Sequence, residues 1–275
     1  MGARFHIFQI ARVDADGNLA LTPEFDRYPI GLEGNAEDRW LEISSTLEGY
    51  ILRDAVPAAD WGETDARGRL EFPNQVEALD QGLYLIMGQR HTQAGCEYEM
   101  QPFLVMLPTW DQIGDDWSYL VTVRPKFIRK DQTEQERLKR NVLKIWECRC
   151  DIPCRTEQIE IQLLRSGEVY DTVILSGEND WRYSWDDLDA AYDWQIVENV
   201  PEGYTVTITR TGITFLVTNR CQPKIPASTE PTEPETPPGL PQTGQLWWPV
   251  PMLLCSGLFL IVMGVARRRG ENYGT

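Results

Sequence analysis

Tyr204-Thr-Val206-Thr-Ile208-Thr-Arg-Thr211-Gly212-Ile-Thr-Phe215-Leu-Val217-Thr-Asn219 reads as a β-hairpin. Tyr204, Val206 and Ile208 alternate with polar residues, Thr211-Gly212 supplies the turn, and Phe215, Val217 and Asn219 share one face of the returning strand. A period of two on both sides of a glycine argues strand and against helix. Upstream, Ile159, Ile161 and Leu163 alternate before a turn at Ser166-Gly167. Trp194-Gln-Ile196-Val-Glu198 and Val142-Leu-Lys144-Ile-Trp146 follow the same rule. Seven short strands within the 85 residues 137–221 predict a β-sandwich.

Residues 1–128 are also mostly of β character, with strands expected near Phe5–Ala11, Leu83–Met87, Phe103–Leu107 and Tyr119–Val123. One helix interrupts them, with Trp40, Ile43, Leu47 and Ile51 on a common face after a cap at Asn35. The expected architecture is therefore mainly all-β: two sandwich domains, 1–128 and 137–221, the first with a short helical insertion. Asp14-Ala-Asp16-Gly17-Asn18 resembles the start of a calcium loop, but Phe25 stands where that loop needs its glutamate, so a β-turn is expected.

Beyond residue 221 the composition changes. Gln222–Gly239 is rich in Pro, Thr and Glu and has almost nothing to bury, so 222–239 reads as an extended stalk. Leu246–Ala266 is a 21-residue run without charge, enough to cross about 30 Å of hydrocarbon as a helix. Trp247 and Trp248 suit its outer interface, and Arg267-Arg268-Arg269 follows as a cytoplasmic stop, placing the bulk of the chain outside. The apolar stretch Phe5–Ala11 is broken by His6 and Gln9 and lacks a cleavage site, so it does not read as a secretion signal, and the expectation is that the sequence is truncated at its N-terminus.

The charge excludes nucleic acid as a partner. Of 275 residues, 42 are Asp or Glu and 26 are Lys or Arg, a net charge of −16 that repels phosphate backbones. Only His6 and His91 are available for imidazole chemistry, and neither a nucleophile–His–acid set nor a paired-carboxylate motif is present, so no enzyme activity is expected. There are only five lysines, Lys126, Lys130, Lys139, Lys144 and Lys224, against 21 arginines, so chemistry needing a free amine has few places to occur.

Lys144 shares a strand face with Val142 and Trp146, where an amine is costly to bury alone. Glu198 and Asn219 likewise sit on alternating apolar faces. The trio, with Tyr170-Asp-Thr-Val173, Tyr183-Ser-Trp185, Leu188-Asp189 and Pro201-Glu-Gly203-Tyr204, resembles the Cna B-type domains of Gram-positive surface proteins over 140–220. That resemblance implies an Ig-like sandwich with an autocatalytic isopeptide bond between Lys144 and Asn219, Glu198 shuttling protons as the catalytic residue. Pro201 follows Glu198 by three residues where such domains usually have four.

Leu240-Pro241-Gln242-Thr243-Gly244, ahead of the apolar run and the arginines, resembles the LPxTG cell-wall sorting signal, so 240–275 reads as that signal with transmembrane helix 246–266. The resemblance implies that a sortase cysteine attacks the Thr243 carbonyl and passes the acyl group to an amine. Trp117-Ser-Tyr-Leu-Val121-Thr-Val123-Arg124-Pro125-Lys126 resembles the pilin motif of sortase-assembled pili, with Arg124 in place of the usual tyrosine. Lys126 of one copy is then the acceptor for Thr243 of another, with Lys130 as a substitute donor. The 1–128 segment also resembles the N-terminal domain of such pilins, but Gly88 stands where an isopeptide glutamate would follow Tyr84 and Ile86, and no lysine precedes Lys126, so no bond is expected there.

The six cysteines suit an extracellular setting, and disulfides are the first reading. With the Lys144 and Asn219 strands as neighbours, Cys148 comes within bridging reach of Cys221, leaving Cys150 with Cys154. A zinc site would need a second paired motif, and no metal or other cofactor is implied. The expected protein is a pilin subunit at the cell wall, its partners sortase, other pilin subunits, peptidoglycan and a host or matrix ligand, with the membrane contacted only before sorting. The alternative is a singly anchored cell-wall adhesin that does not polymerise.

Overall fold

The computed structural model describes residues 2–14, 18–32, 37–111, 116–131, 137–147 and 155–221. Strands dominate. The N-terminal segment runs β1 (Arg4–Val13), β2 (Leu19–Leu21), α1 (Glu37–Asp54), β3 (Asp60–Glu63), β4 (Gly82–Gly88), β5 (His91–Gln93), β6 (Cys96–Met100), β7 (Phe103–Leu107), β8 (Thr109–Asp111), β9 (Asp116–Ser118) and β10 (Phe127–Asp131). Then come β11 (Arg137–Glu147), β12 (Gln158–Arg165), β13 (Glu168–Ser176), β14 (Arg182–Asp189), β15 (Trp194–Asn199), β16 (Tyr204–Thr211) and β17 (Thr214–Cys221).

β1 organises the first half. It pairs with β2 and β3 at its two ends on one side and with β4 on the other, and β4 pairs with β7. A register shift between Gln9 and Ala11 twists the strand. Phe5, Ile7, Phe8 and Ile10 are all buried, so both faces are covered. On one side the Phe5 ring meets Phe127 of β10 edge-on at 6.5 Å, and β10 belongs to a separate sheet, β10-β6-β5. Asp14 and Asn18 close the β1–β2 connection, the Asn18 N–H donating to the Asp14 carboxylate at 2.8 Å.

The seven strands β11–β17 form two facing sheets, β14-β11-β17-β16 and β13-β12-β15. All pairings are antiparallel except that of the first and last strands, β11 and β17, which lie parallel. The alternation read in the sequence is the burial pattern: Ile159, Ile161, Leu163, Val173, Leu175, Trp194, Ile196, Val206, Ile208, Phe215 and Val217 all point inward. The two-residue loop Ser166-Gly167 joins β12 to β13 with φ of 49° and 93°, the positive pair that a tight hairpin requires. Gly167 is also approached by the Leu52 carbonyl of α1, which would lie 2.9 Å from an added Cβ, so the position admits no side chain.

That approach reflects where the helix goes. Ile43, Leu47, Tyr50 and Ile51 recur at helical spacing and are buried, but much of what they bury against is the second sandwich. A single buried cluster runs from Phe8 and Ile10 of β1 through α1 to Trp194, Ile196, Val206 and Phe215, and residues 1–224 form one compact unit. One expected strand is absent: Tyr119 lies in a bend and 120–126 make no strand pairing. The alternation of Tyr119, Val121 and Val123 meets no partner strand among the described residues, and Leu120 is 85% exposed.

Candidate functional site

Strand register brings the three singled-out polar residues together. Lys144 lies opposite Val217 in the parallel β11–β17 pair and Asn219 lies opposite Trp146, so amine and amide sit on the same face of neighbouring strands, two positions apart. Glu198 comes from β15 in the facing sheet and reaches across the core. Its Oε2 lies 2.7 Å from Lys144 Nζ and its Oε1 accepts from Asn219 Nδ2 at 2.6 Å. The side chains of Lys144 and Glu198 are both 0% exposed.

Burial dominates the electrostatics. Loss of hydration pulls the Lys144 amine down to about 8, against the opposing pull of the Glu198 charge and its hydrogen bond. The same loss of hydration pushes Glu198 up, opposed by Lys144 and by the Asn219 hydrogen bond. Both groups are thereby displaced toward their neutral forms. An aromatic wall completes the site: Lys144 Nζ sits 4.8 Å from the centre of the Trp146 ring, which meets Trp181 and Tyr204 edge-on at 5.3 and 5.5 Å. Asn219 Oδ1 is buried without a hydrogen-bond donor among the described residues.

Two further contacts were not legible in the sequence. The Tyr50 hydroxyl of α1 donates to the Glu198 backbone carbonyl at 2.9 Å, and the N–H of Ile208 donates to Thr46 Oγ1 at 2.7 Å. Tyr50 is seven residues past Ile43 on the apolar helix face, a readable position, but its partner lies 148 residues away.

The remaining candidates lie apart from the trio or outside the described residues. Lys126 is exposed and immediately precedes β10, and Lys130 lies within β10 opposite Glu97. Trp117 is in the short β8–β9 ladder opposite Trp110. Cys221 ends β17 opposite Tyr204, and Cys96 begins β6 opposite Gln93. Cys148, Cys150, Cys154, the stalk, Leu240–Gly244 and the run 246–266 all lie outside the described residues. Among the described residues, no helix is long and apolar enough to cross a membrane, and no three His, Cys, Asp or Glu side chains group as metal ligands.

No curated protein matches the chain. Solved structures resemble parts of it. The full-length major pilin RrgB from Streptococcus pneumoniae aligns at 22% identity over 30% of this chain and 15% of its own, with a TM-score of 0.27. A single B repeat unit of the collagen-binding surface protein Cna of Staphylococcus aureus aligns at 17% identity over 45% of this chain and 75% of its own, TM-score 0.31. The Corynebacterium diphtheriae major pilin SpaA aligns at 16% identity over 75% and 56%, TM-score 0.26. This chain thus spans less than two thirds of either pilin. The family model of the Cna protein B-type domain matches residues 140–220, the stretch that contains all three members of the trio and less than a third of the chain.

Proposed function

We propose that this chain is a structural pilin subunit, polymerised and anchored to the cell wall by sortase, whose second sandwich cross-links itself between Lys144 and Asn219. The observation that carries the cross-link is the buried trio, with one carboxyl in contact with both the amine and the amide. Neutral Lys144 Nζ attacks Asn219 Cγ, a C–N bond forms, the bond from Cγ to Nδ2 breaks, and ammonia leaves with the proton that Glu198 carries over from the amine. The orphaned Oδ1 fits this scheme. An amide turned over about its last torsion offers that oxygen to the protonated Glu198 carboxyl, which satisfies it and polarises the carbonyl for attack.

Assembly rests on the sequence signals. Thr243 in Leu240–Gly244 supplies the acyl group and Lys126 the amine, and Lys126 is exposed as such an acceptor must be. Peptidoglycan receives the last subunit, and the membrane is occupied only before cleavage at Thr243. The singly anchored adhesin is favoured by one observation: the motif departs from the pattern at Arg124, and its residues 119–125 form no strand.

An immunoblot of boiled, detergent-treated wall extract from the producing cells tests the assignment. A ladder of high-mass species that collapses to monomer in Lys126→Ala, and loss of wall attachment in Thr243→Ala, are expected. A single wall-linked band in both wild type and Lys126→Ala establishes the solitary adhesin instead, and unchanged attachment in Thr243→Ala refutes the sorting signal.

A further inference from the structure

We propose that the B-type sandwich is not self-sufficient for its cross-link: α1 of the N-terminal segment seals its open side, and Tyr50 is the positioning residue that holds Glu198 against Lys144 and Asn219. The proposal rests on the cross-link reading above and adds a dependence between the two halves of the chain.

The strand orders leave β15 and β16 as edges of their two sheets, and the helix spans them. An edge strand presents unpaired N–H and C=O groups that must find partners or water. Water at this edge would reach the strand that carries Glu198. The N-terminal segment meets these groups one by one. The Val206 N–H donates to the Pro29 carbonyl at 2.8 Å and the Ile208 N–H to Thr46 Oγ1 at 2.7 Å. On β15, the Glu198 carbonyl takes the Tyr50 hydroxyl at 2.9 Å. Thr46 is oriented for its part, since its own proton goes to the Glu42 carbonyl at 2.7 Å.

Fit at this contact is close. A Cβ on Gly49 would fall 2.9 Å from the Ile196 carbonyl oxygen and 3.0 Å from Val197 Cγ1, so the helix approaches β15 as nearly as a bare backbone allows. Tyr50 is held from behind by Tyr28, stacked at 4.9 Å and 21°, whose hydroxyl donates to Asp54 at 2.8 Å. Three side-chain choices on one helix face are thus matched to backbone groups of a different part of the chain.

The consequence is chemical. Glu198 must stay dry to keep its proton and must keep both carboxyl oxygens on target at once. A carboxyl on an edge strand meets neither condition unless its backbone is fixed and its edge covered. Tyr50 fixes that backbone at Glu198 itself. The titratable groups facing Glu198 are Lys144 from β11 and Tyr50 from α1.

The full chain, made in a short cell-free pulse, is followed by intact mass over time at several pH values. Wild type is expected to lose one ammonia. Tyr50→Phe, which keeps the ring and its stacking, should link about tenfold more slowly, the factor that 1.36 kcal/mol in a barrier corresponds to, and its rate–pH profile should shift. Gly49→Ala, which lifts the helix off β15 with the hydroxyl intact, should slow linkage as well. Thr46→Val, which removes a bond of the same seal away from Glu198, should slow linkage less than Tyr50→Phe does. Wild-type rates and profiles in both Tyr50→Phe and Gly49→Ala overturn the proposal while leaving the cross-link standing. A wild type that stays at full mass overturns the cross-link itself and this dependence with it.

Discussion

Glu198→Gln keeps the length and shape of the side chain at the centre of the trio and removes its transferable proton. Wild type should weigh one ammonia less than its sequence, and the variant should have the full mass. The loss of the bond has a calculable thermal cost. A link from Lys144 to Asn219 closes a loop of about 75 residues, and the loop-closure entropy removed from the unfolded chain corresponds to about 4.5 kcal/mol at 25 °C. Spread over a cooperative unit of the size of residues 1–224, that is roughly 10–20 °C in melting temperature. Glutamine also removes the charge and hydrogen bond that raise the Lys144 amine, so the unlinked amine is pushed further toward its neutral form and adds a cost of its own. The double variant Lys144→Met/Glu198→Gln removes the amine and the carboxyl together, so its melting temperature against wild type, measured by calorimetry, reads mainly the loop contribution. A wild type at full mass refutes the reasoning at its base. A linked wild type that melts within a few degrees of the double variant refutes the assigned magnitude.

Asn219→Ala leaves Lys144 and Glu198 in place and unlinkable, and its stability should be lowest near neutral pH. Folding lowers the lysine to about 8, so the unfolded chain holds the extra proton above that value and stability rises as pH climbs toward the ordinary lysine range; folding raises Glu198, so its contribution is full below the ordinary carboxylate value and is lost as pH rises through the raised one. Urea midpoints across pH, compared with Lys144→Met/Asn219→Ala, should show this minimum only in the variant that retains the pair. Asp60→Ala should cost about 2–4 kcal/mol in urea unfolding, because the buried carboxylate accepts from the backbone N–H groups of Trp61, Asn74 and Gln75 at 2.7, 2.5 and 2.9 Å; a change within 0.5 kcal/mol would contradict that role.

Much of the second sandwich was legible because its strands are local statements. Alternation around Thr211-Gly212 names a hairpin whatever else the chain does, and a lysine between Val142 and Trp146 stands out as an irregularity in an otherwise apolar face. Glu198 and Asn219 are visible for the same reason, but that the three meet depends on a parallel pairing of first and last strands and on an approach from the opposite sheet. The helix was equally clear as a helix, since Ile43, Leu47 and Ile51 recur at its period. Its destination was not, because an apolar stripe records that something covers it and nothing about what does. Tyr119–Val123 fails in the complementary way. The pattern there is a strand's, yet a strand exists only with a neighbour to pair with, and Val123 and Leu120 end up exposed.

The placement of the trio within the chain also bears on load. In the proposed subunit, tension enters the second sandwich at the start of β11, Arg137, and leaves at the end of β17, Cys221. Because these two strands are parallel neighbours, pulling their opposite ends loads the ladder in shear, with all of its hydrogen bonds resisting together. A bond from Lys144 to Asn219 bridges the pair near the exit and shortens the loaded path to residues 137–144 and 219–221. Strands β12 to β16 and most of β17 then lie within a closed loop that carries no tension. The helix α1 precedes that loop and is held to β15 and β16 only by noncovalent contacts, so it can part from the sandwich with the bond intact. Stretching does not force that parting: in the proposed subunit α1 precedes Lys126, where tension enters the chain, and β15 and β16 lie within the unloaded loop, so the cover and the strands it seals are spared the pull that the bond bears.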